Sequence, residues 1–64
     1  MPVIQVQLFE GRSVAQKREL ARELTDALVR TCGGKAAAVH VLIHDIKKEN
    51  WAAGGELYSD TLPD

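Results

Sequence analysis

A capping box, Ser13 followed by Gln16, opens a helical repeat that closes at Gly33-Gly34, and a strand-like run stands on either side of it. That order, within 64 residues, limits the fold more than any other feature of the chain. From Pro2 to Phe9, Ile4, Val6 and Leu8 alternate with Gln5 and Gln7, and Glu10-Gly11-Arg12 then turns the corner. In the helix Leu20, Ala21, Leu24, Ala27, Leu28 and Thr31 recur at steps of three and four, giving one apolar stripe. Arg18, Glu19, Arg22, Glu23, Asp26 and Arg30 form the solvated side, with Asp26 and Arg30 spaced as an ion pair one turn apart.

After a short connector, Lys35 to Ala38, the run Val39 to Ile46 is rich in β-branched residues and apolar on both faces, as in a strand covered on two sides. A strand, a helix and a strand of these lengths suit a right-handed crossover between parallel strands. Gly54-Gly55 reads as a tight turn, with Glu56-Leu57-Tyr58 as the arm of a short hairpin. The expected fold class is therefore α/β (α+β): a single β-α-β unit with a short C-terminal hairpin, forming one domain over residues 1–64.

Such a unit is short of support. A chain of this length buries only about 60% of the surface it exposes when unfolded. Its one cysteine, Cys32, allows no internal disulfide and no zinc-type spacing, and it reads best as a small buried hydrophobe near the helix end. Two parallel strands under one helix leave two edges and one face unpaired. Two copies joined edge to edge give a four-stranded sheet per dimer with both helices on one side, and the other side calls for further copies.

Eight Lys and Arg against nine Asp and Glu give a net charge of -1 with no basic block, which argues against nucleic acid as a partner. No apolar run approaches the ~20 residues of a membrane span. Glu10 and Arg12 interrupt the first strand before the apolar core of a signal peptide would be complete, so a cytoplasmic protein is expected.

Chemistry enters at Pro2. A proline behind Met1 normally permits removal of the methionine, leaving a secondary amine held in a ring at the head of the first strand. An α-amino group titrates at about 7.7 to 8.0, and a general base at neutral pH works best when its pKa lies near the working pH. Desolvation by Val3 and Trp51, or a nearby cation such as Arg12, would lower it. By itself, Pro2 reads better as the start of an edge strand than as a base, and only the rest of the chain reverses that order. Eight strand residues place Pro2 and Arg12 roughly 25 Å apart, so a site using both must lie between subunits. His40 and His44 are about 13 Å apart on a strand, too far to share one metal ion.

Pro2, the strand behind it, Glu10-Gly11-Arg12-Ser13, Gln16-Lys17 and Gly54-Gly55-Glu56-Leu57 together resemble the 4-oxalocrotonate tautomerases, also called 2-hydroxymuconate tautomerases. These are small homohexamers of the tautomerase superfamily, and the resemblance spans nearly the whole chain. It implies a cofactor-independent isomerase that moves a proton within a small 2-hydroxy or 2-oxo unsaturated carboxylic acid. The position matching Pro2 is the catalytic base there. The position matching Arg12 holds a substrate carboxylate, and the one matching Trp51, usually phenylalanine, makes the pocket apolar. Typical members open the second strand with another arginine that polarises the oxo-acid end; this chain has His40, which offers fewer donors than the forked guanidinium.

The roles open to His40 are a hydrogen bond to the developing enolate, a second acid-base function, or packing at a subunit seam. An alternative substrate is a monocarboxylate such as an aryl enolpyruvate. A non-catalytic oligomeric binding protein is the expectation if Met1 is retained, because the Pro2 nitrogen is then an amide. The hydrolytic members of the superfamily place a glutamate and an arginine where this chain has Ala53 and Phe9, which disfavours hydrolysis.

Overall fold

In the computed structural model, which describes residues 2–62, the alternation at the start of the chain becomes strand β1, Val3–Phe9, with Ile4, Val6 and Leu8 half-buried and Val3, Gln5 and Gln7 exposed. Helix α1, Val14–Cys32, follows, and strand β2, His40–Ile46, returns parallel to β1. The register runs from Val3 beside His40 to Phe9 beside Ile46, and the Glu10 N–H donates to the Ile46 carbonyl at 3.0 Å, carrying the ladder one step further. Residues opposite one another in such a pair share a face. One face therefore carries Ile4, Val6, Leu8, Val41, Ile43 and Asp45, and the other carries Val3, Gln5, Gln7, Phe9, His40, Leu42, His44 and Ile46.

α1 covers the first of these faces. Ser13 caps it: the Ser13 hydroxyl accepts from the Gln16 N–H at 3.1 Å and the Gln16 side chain accepts from the Ser13 N–H at 2.9 Å. Leu20, Ala21, Leu24, Ala27 and Leu28 are half-buried against the sheet, and Lys17 forms an ion pair with Asp45 of β2. At partial exposure that pair contributes at most about 1 kcal/mol, but it fixes the start of the helix over the end of β2.

Several features of the helix differ from the sequence pattern. The ion pair of Asp26 is with Arg22 at 3.5 Å, not with Arg30. Arg22 also engages Glu19 and Glu23, and the hydrogen bond it donates to Glu19 raises its guanidinium above its ordinary range. Thr31 is exposed, with its hydroxyl donating back to the Ala27 carbonyl at 2.8 Å. Cys32 is exposed as well, because 19 helical residues reach about 28 Å while seven strand residues reach about 23 Å. The helix outruns the sheet it would be buried against.

Beyond β2, strands β3, Ala52–Ala53, and β4, Glu56–Leu57, form an antiparallel hairpin. Gly54 and Gly55 both have positive φ, 62° and 85°, as a two-residue hairpin turn twisted to match its strands requires. Tyr58 belongs not to the hairpin arm but to a final turn of helix, α2, Tyr58–Thr61.

The face away from α1 is covered only at one end. Phe9 and Ile46 are half-buried there, whereas Val3 is 54% and Leu42 45% exposed. Among the described residues no side chain is fully buried. The radius of gyration, 14.9 Å, exceeds the roughly 11 Å of a compact chain of this length, and the molecule measures 43 × 25 × 15 Å. Its thinnest dimension holds one helix layer and one sheet layer. None of the described helices is long and apolar enough to cross a membrane.

Candidate active site

Parallel pairing sets the surroundings of Pro2. Its carbonyl accepts the His40 N–H at 3.0 Å, which anchors the residue one position before β1 while leaving it exposed. His40 opens β2, registered with Val3 on the uncovered face; His44 lies on the same face beside Gln7, with Leu42 between the two histidines. Met1, whose removal frees the Pro2 nitrogen, lies outside the described residues.

Arg12 stands at the other end of β1. Gly11, at φ 126°, makes the corner in a backbone conformation that side-chain-bearing residues rarely adopt. The chain thereby doubles back, and Nη1 of Arg12 donates to the Phe9 carbonyl at 3.1 Å. Among the described residues no carboxylate pairs with Arg12. The first turn of α1, immediately after it, contains no acidic residue, so the positive end of the helix reinforces the guanidinium as an anchor for an anion.

Trp51 also belongs to this end. Its ring centroid lies 4.5 Å from that of Phe9, Tyr58 lies 5.4 Å from Phe9, and the Trp51 and Tyr58 rings stack at 6.2 Å with 8° between their planes. These are the chain's three aromatic residues, gathered from β1, the segment after β2, and α2. The Tyr58 N–H donates to the Trp51 carbonyl at 2.8 Å, closing the hairpin beneath the cluster. Beside it opens a hollow of about 480 Å³ lined by Phe9, Glu10, Gly11 and Lys48. Nζ of Lys48 donates to the Leu62 carbonyl at 3.0 Å across that rim.

The candidate residues thus divide into two groups. Pro2 and His40 sit at one end of the sheet, Arg12 and Trp51 at the other, with the seven residues of β1, about 23 Å, between them. Trp51 does not pack beside the Pro2 of its own chain; the only aromatic contacts it makes are at the Arg12 end. Sequence reasoning missed Tyr58 and the part Phe9 plays as a wall of this hollow. The available signal was that positions 9, 51 and 58 are the chain's only aromatics, but nothing in their spacing ties them together before the fold does.

Comparison with known proteins shows the family. Residues 2–61 match the family model described as tautomerase enzyme. A probable tautomerase of Streptococcus pneumoniae serotype 4 is 44% identical over 57 residues, covering 89% of this chain and 95% of that one. The 2-hydroxymuconate tautomerase of Comamonas testosteroni is 46% identical over 55 residues, covering 86% and 87%. Among solved structures, a heterohexameric 4-oxalocrotonate tautomerase from Chloroflexus aurantiacus J-10-fl superimposes with a TM-score of 0.85 at 32% identity, covering 94% of this chain and 97% of that one.

Proposed function

Because the chain belongs to the tautomerase family of enzymes, we propose that it is a cofactor-independent isomerase whose base is the amino-terminal nitrogen of Pro2, acting on a small 2-hydroxy or 2-oxo unsaturated carboxylic acid. One observation carries the reading: Pro2 and Arg12 cap opposite ends of a two-stranded sheet whose edges are unpaired. Antiparallel pairing of β1 with β1 of a second copy sets Pro2 of one chain beside Arg12 and Trp51 of the other. It also makes a four-stranded sheet. Packing three such dimers through their bare faces gives a hexamer, an assembly size supported by the Chloroflexus relative. The domain spans residues 1–64 and works in the cytoplasm.

In the ketonising direction the neutral Pro2 amine takes the proton of the substrate's 2-hydroxyl, C2–O becomes a carbonyl, and the displaced π pair takes up that proton at carbon from the Pro2 ammonium, which leaves the amine neutral again. Proton and electron counts balance without an oxidant. Arg12 holds the carboxylate and stabilises charge moving toward it. Trp51 excludes water from the amine, favouring its neutral form. His40, at the Pro2 end, donates to the oxygen that bears the developing charge. The substrate class is supported by the Comamonas relative, a 2-hydroxymuconate tautomerase.

An N-terminal extension tests the base directly. Two residues ahead of Pro2 turn its amine into an amide and alter nothing else in β1, so activity should fall by a factor of 10² or more, the usual worth of a positioned acid-base group. Turnover of the extended protein within threefold of the processed one would rule out Pro2 as the base.

A further inference from the structure

We infer that Tyr58 is a positioning residue for Trp51: by stacking on the indole it fixes the plane that Trp51 presents to Pro2 of the partner subunit. The inference rests on the reading that Trp51 excludes water from that amine, and it gives Tyr58 no contact with substrate. An indole needs such a neighbour. The torsion that turns its plane is broad and roughly two-fold, so the side chain's own preferences leave the plane loosely set. Phe9 limits it on one side only, at 4.5 Å and tilted by 50°. Tyr58 lies within 8° of parallel at 6.2 Å, inside the range of about 4.5 to 7 Å over which offset rings attract, so turning the indole out of its plane loses the stack.

The backbone holds Tyr58 in place to do this. In the hairpin Ala52 is registered with Leu57, so Trp51 and Tyr58 stand opposite one another one step beyond the ladder, and the Tyr58 N–H donates to the Trp51 carbonyl at 2.8 Å. Residues opposite one another in an antiparallel pair share a face, which brings the two rings to the same side. A circuit of hydrogen bonds then closes around them. The Trp51 N–H donates to the Lys48 carbonyl at 3.2 Å, Nζ of Lys48 donates to the Leu62 carbonyl at 3.0 Å, and the Leu62 N–H donates to the Tyr58 carbonyl at 2.8 Å. The turn before Trp51 and the helical turn α2 are thereby tied to each other as well as to the hairpin. Among the described residues the Tyr58 hydroxyl has no hydrogen-bond partner, so the ring and not the hydroxyl carries the role.

Trp51 is the chain's one tryptophan, so intrinsic fluorescence reports on this indole alone. In the processed, assembled protein, Tyr58→Phe keeps the ring, whereas Tyr58→Met fills the space with a flexible chain that imposes no plane; Tyr58→Leu repeats the comparison should Tyr58→Met fail to assemble. Two quantities are measured: quenching of Trp51 by acrylamide, and the midpoint of the acid limb of kcat/KM for 2-hydroxymuconate, which reports the base of the free enzyme. Water readmitted beside the amine favours its charged form and raises its pKa. Tyr58→Met should therefore move the midpoint up by about 0.5 pH unit or more and raise the quenching constant about twofold, while Tyr58→Phe matches the wild type in both. A midpoint does not depend on how much folded protein is recovered, and both variants keep Glu10, Arg12, Lys48 and His40, the other charged or titratable groups at the two ends of the site. Unchanged quenching in Tyr58→Met, or Tyr58→Phe behaving like Tyr58→Met, overturns the stack as the device that holds Trp51. Raised quenching with an unmoved midpoint overturns its part in the reaction. Absence of turnover in all three proteins overturns the isomerase reading separately, and quenching alone then decides whether Tyr58 holds Trp51.

Discussion

In the proposed reaction Arg12 and His40 would divide the handling of charge between the two ends of the sheet, and substitution separates their contributions. On the proposed reading Arg12 grips the carboxylate in the ground state and gains strength as charge shifts toward it, so Arg12→Ala should raise KM and lower kcat together. A single charge-assisted hydrogen bond is worth about 1.5 to 3 kcal/mol, which predicts a loss in kcat/KM of about tenfold to a hundredfold, measured by steady-state kinetics. His40→Arg supplies a permanent cation at the Pro2 end and should raise kcat/KM for a dicarboxylate relative to a monocarboxylate. An equal fall for both substrates would assign His40 to packing instead. Pro2, Arg12 and Trp51 could be put forward from the sequence because each sits at a marked place: behind Met1, at the Glu10-Gly11-Arg12 corner, and just before the glycine turn. The neighbours of Trp51 were not, because the contacts with Phe9 and Tyr58 depend on how the C-terminal segment folds back over β1.

Local rules fixed the elements well where one physical cause dominated. The capping box placed the start of α1 because two backbone donors find partners only in that geometry. Ser13→Ala should therefore cost about 1 kcal/mol of stability, read as a lower midpoint in chemical unfolding with an unchanged slope. Alternation in β1 and the glycine pair at the hairpin were equally readable, since each reflects a steric rule confined to a few residues. The errors arose where an outcome depended on relative lengths or on competing partners. Cys32 is exposed because the helix outruns the sheet, and Asp26 pairs with Arg22 because that guanidinium already lies among Glu19 and Glu23. Tyr58 left the hairpin arm for α2, where it completes the aromatic cluster.

At the scale of the whole molecule, the described chain has no fully buried side chain, an extended outline and a half-bare sheet. Under the proposed assembly such a fold draws its stability from association. The unfolding temperature should rise with protein concentration, as it does for any protein whose folded monomer is unstable, and sedimentation should find no stable folded monomer at micromolar concentration. The central claim is that each site takes Pro2 from one subunit and Arg12 from another. Complementation tests it most directly: the N-terminally extended protein and the Arg12→Ala protein, each nearly inactive, are unfolded together in equal amounts and allowed to reassemble. If sites are shared between subunits, about a quarter of them in a randomly mixed assembly combine a free Pro2 with an intact Arg12, and activity should return to about a quarter of the wild-type value. Mixtures no more active than the average of the two parents, despite verified subunit exchange, would contradict the shared site.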